Sequence, residues 1–319
     1  CTSSSGTGFD HSAHVFVGGQ QSNEYDAQIA YARPSVHYFK PLWESVVGKT
    51  AEGASTPGGE WIVVHGENFG TVSDNAIDSI TYGPNGVEFH PCLNNKQHPD
   101  SCECRLMVDH EQIRCNTTEG SGKMHRWIIK IDGQNSTVST TSYDRPTIES
   151  ITGPGAIDAS CDGGQEITIT GKNFGPGQKY LGDVTYGPSG TEYVADNCQY
   201  VSHFEITCET AKGLGKELSW LVSVDGQLSD LSATTTNYKT PVISKVYVET
   251  GKTAGGSLHR INGTDFGVKV PNSYIEVLFD GVPIVLDGVS STKATQGSYL
   301  SGREPDGVDF IEFTLPPLT

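Results

Sequence analysis

The sequence has few basic residues and almost no methionine. Of its 319 residues, 21 are lysine or arginine, 38 are aspartate or glutamate and two are methionine, and the formal net charge is −17. A protein that binds nucleic acid neutralises phosphates with lysine and arginine, so this balance argues against nucleic acid as a partner. The acidic residues are dispersed along the chain, which is typical of a solvated protein surface.

Long apolar runs and catalytic signatures are also missing. No stretch approaches the ~18 apolar residues of a membrane-spanning helix, and no signal peptide is visible, so we expect a mature chain or an excised portion without a membrane span. GxSxG, HExxH and calcium-loop patterns do not occur, and the ten histidines are expected to be solvated or on strand faces. We therefore predict no enzyme activity, no metal and no cofactor. Residues 301–309 could hold a cation loosely through carboxylates, with a plain acidic loop as the simpler alternative.

Glycine, cysteine and glycosylation sequons are what the sequence does have. The 38 glycines, with short runs rich in Thr, Ser and Val, predict an all-β protein of two or three domains. Eight cysteines indicate an oxidising compartment. Sequons at Asn116, Asn135 and Asn262 predict exposed, N-glycosylated turns. Together these features predict a secreted or cell-surface protein.

One turn motif occurs three times, as GENFG at 66–70, GKNFG at 171–175 and GTDFG at 263–267. Each copy follows a Gly-Gly pair and an alternating strand. We expect its glycines to adopt positive φ or to allow a close backbone approach, and its Phe to fill the end of a core. WIIKIDGQNS (127–136) matches WLVSVDGQLS (220–229), and a Tyr-x-x-Pro sequence closes each copy. Each repeat of about 100 residues therefore predicts an Ig-like β-sandwich.

The order of these motifs resembles the IPT/TIG domain, the Ig-like module of plexin-type receptors and of large fibrocystin-like surface arrays. The resemblance covers essentially the whole chain and is strongest in residues 146–240, good in 34–145 and weakest in 241–319. It implies tandem Ig-like sandwiches used for extracellular adhesion or scaffolding, and it implies no catalytic residues.

The matched positions of the cysteines imply one disulfide in each of two domains, Cys104–Cys115 and Cys198–Cys208. Cys92 and Cys102 bracket a loop and are expected to form a third. Zinc bound by these cysteines and nearby histidines is the alternative, but the spacing fits no known zinc finger. Cys1 and Cys161 are left without an assigned partner.

The first 34 residues repeat a later part of the chain. Cys1–Pro34 aligns without a gap with Cys208–Pro241, which holds the last two strands of a domain. The expected plan is therefore two complete IPT/TIG sandwiches, at 34–145 and 146–240, with a third split between 241–319 and the last two strands in 1–33. The missing strands would come from a neighbouring copy in a head-to-tail filament, from the adjoining repeat of a longer tandem array, or from the same chain. We favour the filament, a helical fibril built by donor-strand complementation.

This plan predicts one interface. Residues 12–17 and 25–33 should form the donated strands, packed against residues of the 241–319 region. On the donated strands the interface residues are Ala13, Val15, Val17, Ile29 and Tyr31. On the receiving side they are Ile243, Ile261, Val277 and Phe313.

Two alternative functions remain open. A cell-surface receptor or adhesin would bind a protein or glycan through long loops, for which 40–57, 90–104 and 286–308 are the candidates. An accessory module of a carbohydrate-active enzyme would have its catalytic domain outside this chain.

Overall fold

The computed structural model describes residues 2–41, 52–74, 76–92, 103–247, 258–267, 274–279, 282–283, 294–295 and 300–314. Within these ranges the fold is almost entirely β, and the one helical element is the three-residue 3-10 turn Gln178–Tyr180. The all-β class predicted from the sequence is therefore confirmed.

Residues 2–34, here called the N-terminal segment, form two small antiparallel sheets. β1 (His11–Ala13) pairs with β4 (Tyr25–Ile29), and β2 (Phe16–Val17) pairs with β3 (Gln20–Gln21). The β2–β3 turn consists of Gly18 and Gly19, both at positive φ, a conformation that glycine adopts without steric cost.

The first sandwich extends from residue 35 to residue 143 and has two sheets that share one core. Its strands are β5 (Ser35–Pro41), β6 (Glu52–Ala54), β7 (Trp61–Glu67), β8 (Ile77–Gly83), β9 (Phe89–Cys92), β10 (Cys104–Val108), β11 (Gln112–Asn116), β12 (His125–Ile131), β13 (Gln134–Asn135) and β14 (Ser139–Tyr143). One sheet has the order β10-β11-β7-β5, and the other has the order β6-β14-β12-β8-β9 with β13 beside β12. Alternation on β12 buries Trp127, Ile129 and Ile131 as the sequence predicts.

The second sandwich extends from residue 147 to residue 238 and repeats this plan. Its strands are β15 (Thr147–Thr152), β16 (Glu166–Lys172), β17 (Leu181–Gly187), β18 (Tyr193–Val194), β19 (Asp196–Ser202), β20 (Glu205–Glu209), β21 (Ser219–Val224) and β22 (Gln227–Leu228). The sheet orders are β15-β16-β20-β19 and β18-β17-β21-β22. Trp220, Val222 and Val224 are buried on β21, as expected.

The described residues between 242 and 314 form one full sheet and two small ones, here called the third sheet set. Its strands are β23 (Val242–Tyr247), β24 (Leu258–Thr264), β25 (Tyr274–Ile275), β26 (Leu278–Phe279), β27 (Val282–Pro283), β28 (Ala294–Thr295), β29 (Leu300–Arg303) and β30 (Asp309–Thr314). The full sheet has the order β23-β24-β30-β29 and matches β15-β16-β20-β19 of the second sandwich. The two small sheets are the two-residue pairs β25–β28 and β26–β27.

The repeated turn motif adopts one conformation in all three copies. The last glycine has a φ of 85° at Gly70, 83° at Gly175 and 69° at Gly267. The preceding phenylalanines, Phe69, Phe174 and Phe266, are buried. The first glycine allows a close backbone approach instead, since a Cβ at Gly66 or Gly263 would lie 2.0 Å from a main-chain oxygen. Both expectations for this motif are thus confirmed. The residues before the phenylalanines also have positive φ, namely Asn68, Asn173 and Asp265.

Two disulfides join neighbouring strands. Cys104 on β10 is bonded to Cys115 on β11, and Cys198 on β19 is bonded to Cys208 on β20, with Cα separations of 4.1 and 4.0 Å. These are the two pairs that the family resemblance implied, and they indicate an oxidising compartment. Cys92 is also disulfide-bonded, while its expected partner Cys102 lies outside the described residues.

Of the histidines expected to be solvated or on strand faces, two lie on inward strand faces and are buried. His125 begins β12, where its ring lies among Tyr82, Phe89 and Tyr143. His259 on β24 stacks on Phe313 with ring centroids 5.8 Å apart. Both occupy inward positions of alternating strands, and strand alternation decided their burial against the polarity of the ring.

The chain divides into two compact units. One comprises residues 1–146, 173–182 and 223–228, and the other comprises 147–172, 183–222 and 229–319. The turn motif and the DGQ hairpin of the second sandwich therefore group with the first sandwich, because both contact its end.

Candidate functional site

The N-terminal segment has the same strand pairing as the ends of the two sandwiches. In each case the residue 10 positions after the matched cysteine pairs with a residue near the closing tyrosine. The pairs are His11 with Ile29, His125 with Thr141, and Leu218 with Thr236. The register that the alignment of Cys1–Pro34 with Cys208–Pro241 implies is thus present in the fold.

The hairpin that follows is also repeated bond for bond. In each copy the residue before the turn pairs with a glutamine after it. The pairs are Val17 with Gln20, Ile131 with Gln134, and Val224 with Gln227. In the N-terminal segment Ser22 N–H donates to the oxygen of Val15 at 2.8 Å, and Val15 N–H donates to Ser22 Oγ at 3.0 Å. The same two bonds join Ser136 to Ile129 and Ser229 to Val222.

The closing tyrosine completes the likeness. Its N–H donates to a glycine oxygen at 2.9–3.0 Å in the pairs Tyr31 with Gly8, Tyr143 with Gly122, and Tyr238 with Gly215. Its hydroxyl donates to a main-chain oxygen in the pairs Tyr31 with Ser4, Tyr143 with Thr118, and Tyr238 with Ala211. The N-terminal segment therefore folds as the end of a sandwich.

The N-terminal segment differs from the two sandwiches in that its apolar face is uncovered. Val15 and Val17 are 61% and 71% exposed, whereas Val222 and Val224, their equivalents on β21, are 0% and 2% exposed. Phe16, Tyr25 and Ile29 are exposed as well. Five apolar side chains are thus exposed within 15 residues, and Val15 and Val17 lie on the face that is buried in the second sandwich.

Apolar side chains of the third sheet set are exposed as well. Phe39 on β5 and Ile151 on β15 are 4% and 6% exposed, while Val246, which holds the same register position on β23, is 45% exposed. The other exposed apolar residues of this sheet are Val242, Ile243, Tyr247 and Leu258. On the face that the first two sandwiches bury, β23 is thus exposed at Val246, while Ile261 on β24 and Phe313 on β30 are buried.

The predicted interface residues thus fall into two groups. Ala13, Val15, Val17, Ile29 and Ile243 are exposed, Tyr31 is half-buried against Gly6, and Ile261, Val277 and Phe313 are already buried. Contact between the two sets of residues remains a prediction about an assembly.

The repeated motifs have a second function that was not predicted from the sequence. They bind the end of the preceding segment. Gln134 Nε2 donates to the oxygen of Tyr31 at 3.1 Å, and Gln227 Nε2 donates to the oxygen of Tyr143 at 2.9 Å. The asparagine of the turn motif makes a matching bond, from Asn68 to the oxygen of Arg33 and from Asn173 to the oxygen of Arg145. The recurrence of GxNFG and DGQ in both copies was the available signal.

A side-chain pair completes each of these two junctions. The hydroxyl of Thr7 donates to Asp132 Oδ2, and the hydroxyl of Ser121 donates to Asp225 Oδ2, the latter at 3.1 Å. The same two residues lie against the last glycine of the turn motif, Thr7 at Gly70 and Ser121 at Gly175. Each sandwich therefore presents a fixed polar surface to the segment before it.

The third sheet set meets the second sandwich through different side chains. Leu214 lies against Gly267, and the guanidinium of Arg303 bonds both Asp162 and the fully buried Asp309. Asp309 Oδ2 in turn accepts from the N–H of Phe266 at 3.0 Å. These two carboxylates hold the pKa of Arg303 above its usual range. Two acidic groups of this region, Asp309 and Glu304, are thus paired with arginines.

The remaining candidate positions are placed as follows. Asn135 is exposed as predicted. Asn116 and Asn262 are half-buried, because they lie on strands β11 and β24 and not in the exposed turns that were expected, and glycosylation of all three stays a prediction. Cys161 is buried as a free thiol, and burial together with the nearby carboxylates raises its pKa to about 11. Cys1 lies outside the described residues, as do 42–51, 93–102, 286–293 and 296–299 in the candidate binding loops.

A metal cluster and a membrane-spanning helix are both absent from the described part of the chain. It contains no cluster of three or more His, Cys, Asp and Glu residues able to hold a metal ion. No helix in it is long and apolar enough to cross a membrane.

Comparison with known proteins identifies residues 146–240 as an IPT/TIG domain. No curated protein matches the sequence. Solved structures to which the chain is similar include the plexin A4 extracellular region, with 16% identity, a TM-score of 0.28, and 89% of this chain and 21% of that chain covered. The surface glycan-binding protein PbSGBP-B from Prevotella bryantii has 14% identity, a TM-score of 0.38, and 75% and 55% covered. Invasin, a bacterial integrin-binding protein, has 14% identity, a TM-score of 0.28, and 84% and 53% covered.

The chain spans between about a fifth and just over half of the length of these three structures. Identities of 14–16% and TM-scores of 0.28–0.38 support no inference about this chain. Ligands and partners of those proteins are therefore not transferred to this chain.

Proposed function

We propose that this is an extracellular structural protein whose copies join head to tail, with the N-terminal segment of one copy completing the third sheet set of the next. Strand donation of this kind uses main-chain hydrogen bonds for affinity and side-chain pockets for register. Because the two surfaces are different, each joined copy still offers one free surface of each kind, and the contact propagates as a filament.

The observation that carries the proposal is the exposure of Val15 and Val17. Their local backbone is that of β21 in every hydrogen bond described, and yet their equivalents Val222 and Val224 are buried. Water therefore covers a face that the same sequence pattern elsewhere in this chain packs into a core. Burying each valine would stabilise the joint by roughly 1.5–3 kcal/mol before ordering costs.

The second sandwich supplies the template for the joint. Its β15-β16-β20-β19 sheet matches the β23-β24-β30-β29 sheet of the third set strand for strand. The N-terminal segment matches the part of the second sandwich that follows β20. A joined pair of copies would thus reproduce a sandwich that this chain already forms. Where the same repeats continue within one polypeptide, the same contact joins neighbouring repeats.

The test uses two disabled variants of the full chain. Val15→Asp with Val17→Asp disables the donated strands, and Val246→Asp disables the receiving sheet. All three positions are exposed, so the separate copies should fold normally. By sedimentation velocity, the unmodified chain should form oligomers, each variant alone should be monomeric, and their equimolar mixture should form a dimer and nothing larger.

Val201→Asp is the matched control, since Val201 is an equally exposed valine on β19 outside both surfaces. It should assemble like the unmodified chain. An unmodified chain that stays monomeric at high concentration would refute the proposal. Larger oligomers in the mixture of the two variants would show that the contact is not head to tail. A receptor or adhesin that acts through its loops would remain monomeric in every arm.

A further inference from the structure

We propose that the β2–β3 hairpin of the incoming copy also contacts the end of the receiving copy's second sandwich, and that Gly18 and Leu214 form a matched pair that selects this joint. The inference rests on the proposed head-to-tail function and names the residues that set its specificity.

The structure contains two junctions of the kind proposed here. At each, a hydroxyl from the end of one segment donates to an aspartate in the hairpin of the next sandwich, Thr7 to Asp132 and Ser121 to Asp225. The aspartate directly follows the last strand residue before the turn and has a φ of 40° or 48°. The hydroxyl residue directly precedes the glycine that binds the closing tyrosine.

The third pair of equivalent positions carries neither group. Leu214 directly precedes Gly215, as Ser121 precedes Gly122, and it lies against Gly267 where Ser121 lies against Gly175. Gly18 directly follows Val17, in the place of Asp132 and Asp225. Both members of the polar pair are thus replaced together, the donor by an apolar side chain and the acceptor by hydrogen.

This double replacement has a physical reason if the two positions face each other. A carboxylate held against Leu214 would lose water without gaining a donor, which is strongly unfavourable. Glycine removes that carboxylate and leaves room for the leucine. Gly18 placed opposite Ser121 or Thr7 would instead leave a hydroxyl without its acceptor. The residue pairs therefore assign the β2–β3 hairpin to the end of the second sandwich that bears Leu214.

The glutamine of the hairpin supports the same placement. Gln134 and Gln227 donate to the oxygen of the tyrosine that closes the preceding segment. Gln20 holds their position and is exposed in the separate chain. In the joint its acceptor is the main-chain oxygen of Tyr238, which now accepts from Asn237 Nδ2 at 3.2 Å and has a second lone pair available.

The experiment is a double-mutant cycle on the heterodimer of the two disabled full-length chains. The copy that donates strands carries Val246→Asp, with or without Gly18→Asp. The copy that receives them carries Val15→Asp and Val17→Asp, with or without Leu214→Ser. An aspartate fits at position 18, because Gly18 has a φ of 58° and no atom lies within 4 Å of the place of a Cβ. Gly18→Ala separates the loss of glycine from the gain of the carboxylate.

Dissociation constants decide the outcome. Gly18→Asp alone should weaken the heterodimer about tenfold or more, Gly18→Ala should weaken it less, and Leu214→Ser in the partner should restore at least tenfold of the affinity lost to Gly18→Asp. Additive effects would overturn the Gly18–Leu214 assignment while the head-to-tail function stands. Absence of any heterodimer between the two disabled chains would overturn both.

Discussion

Gln227 donates from Nε2 to the main-chain oxygen of Tyr143 at 2.9 Å, across 84 residues of sequence. A net contribution of about 1 kcal/mol is typical of such a bond. We therefore expect Gln227→Leu to lower the free energy of unfolding by about that amount in urea denaturation. Gln20→Leu is the control, since Gln20 is exposed in the separate chain and its replacement should leave the unfolding midpoint unchanged at low protein concentration. Equal effects of the two substitutions would contradict the role of Gln227.

His125 makes the first sandwich sensitive to acid. Burial is the largest effect on its pKa and lowers it below the ordinary 6.5, although bonds to the oxygens of Ser121 and Gly122 and the charges of Asp225 and Glu88 act in the opposite direction. Because the unfolded chain then binds the proton more readily than the folded one, stability is complete above pH 6.5 and falls as the pH drops below it. Thermal unfolding at pH 7.5 and 5.5 should show this loss.

The second sandwich provides the matched substitution, because Leu218 holds the place of His125. His125→Leu should reduce the difference in melting temperature between the two pH values. If the substituted chain loses as much stability as the original, another group is responsible for the acid sensitivity.

Gly120 packs against the ring of Tyr143. A Cβ at this position would lie 2.5 Å from both Cζ and Oη of the tyrosine, closer than non-bonded atoms approach. Gly120→Ala should therefore destabilise the first sandwich by about 1–3 kcal/mol. Lys123→Ala, at an exposed position nearby, should have no measurable effect on the same chemical denaturation curve. A stable Gly120→Ala variant would show that the tyrosine can move away from its hydrogen bond to Thr118.

The Cys198–Cys208 disulfide closes a loop of 10 residues. Loop-closure entropy for such a length amounts to about 3 kcal/mol. Replacing both cysteines with serine should lower the stability of the second sandwich by roughly this amount, with no change for the first. Chemical denaturation of the variant and of the unmodified chain, both in oxidising buffer, provides the readout, and identical curves for the two chains would refute it.

The sequence was sufficient to predict what depends on local pattern. Alternation placed Trp127 and Trp220 in the core, where they stack on Tyr82 and Tyr186 with centroids 4.2 and 4.0 Å apart. Matched cysteines gave both described disulfides. In each case the partner residues belong to the same repeat, so that one copy of the pattern holds all the information.

Contacts between one repeat and the next were not predictable in the same way. The sequence predicts Asn68 to be a turn residue, because its positive φ is a local property. Its bond to the oxygen of Arg33, however, exists only when the preceding segment is in place. The same is true of Gln134 with Tyr31. The burial of His125 was not predictable for another reason, since Nε2 of its ring donates to the main-chain oxygen of Ser121, a bond that strand polarity does not reveal.

The Cys104–Cys115 disulfide has a mechanical consequence. It joins β10 to β11 at the edge of a sheet and closes off the residues between them. When tension pulls the first sandwich apart, those residues cannot extend, and the released length is shorter by roughly 35 Å than in the reduced chain, at about 3.3–3.6 Å per residue. In the proposed filament, each first sandwich that unfolds under load would therefore extend by a smaller length. The β10–β11 hairpin would stay linked, and the sheet could refold from it.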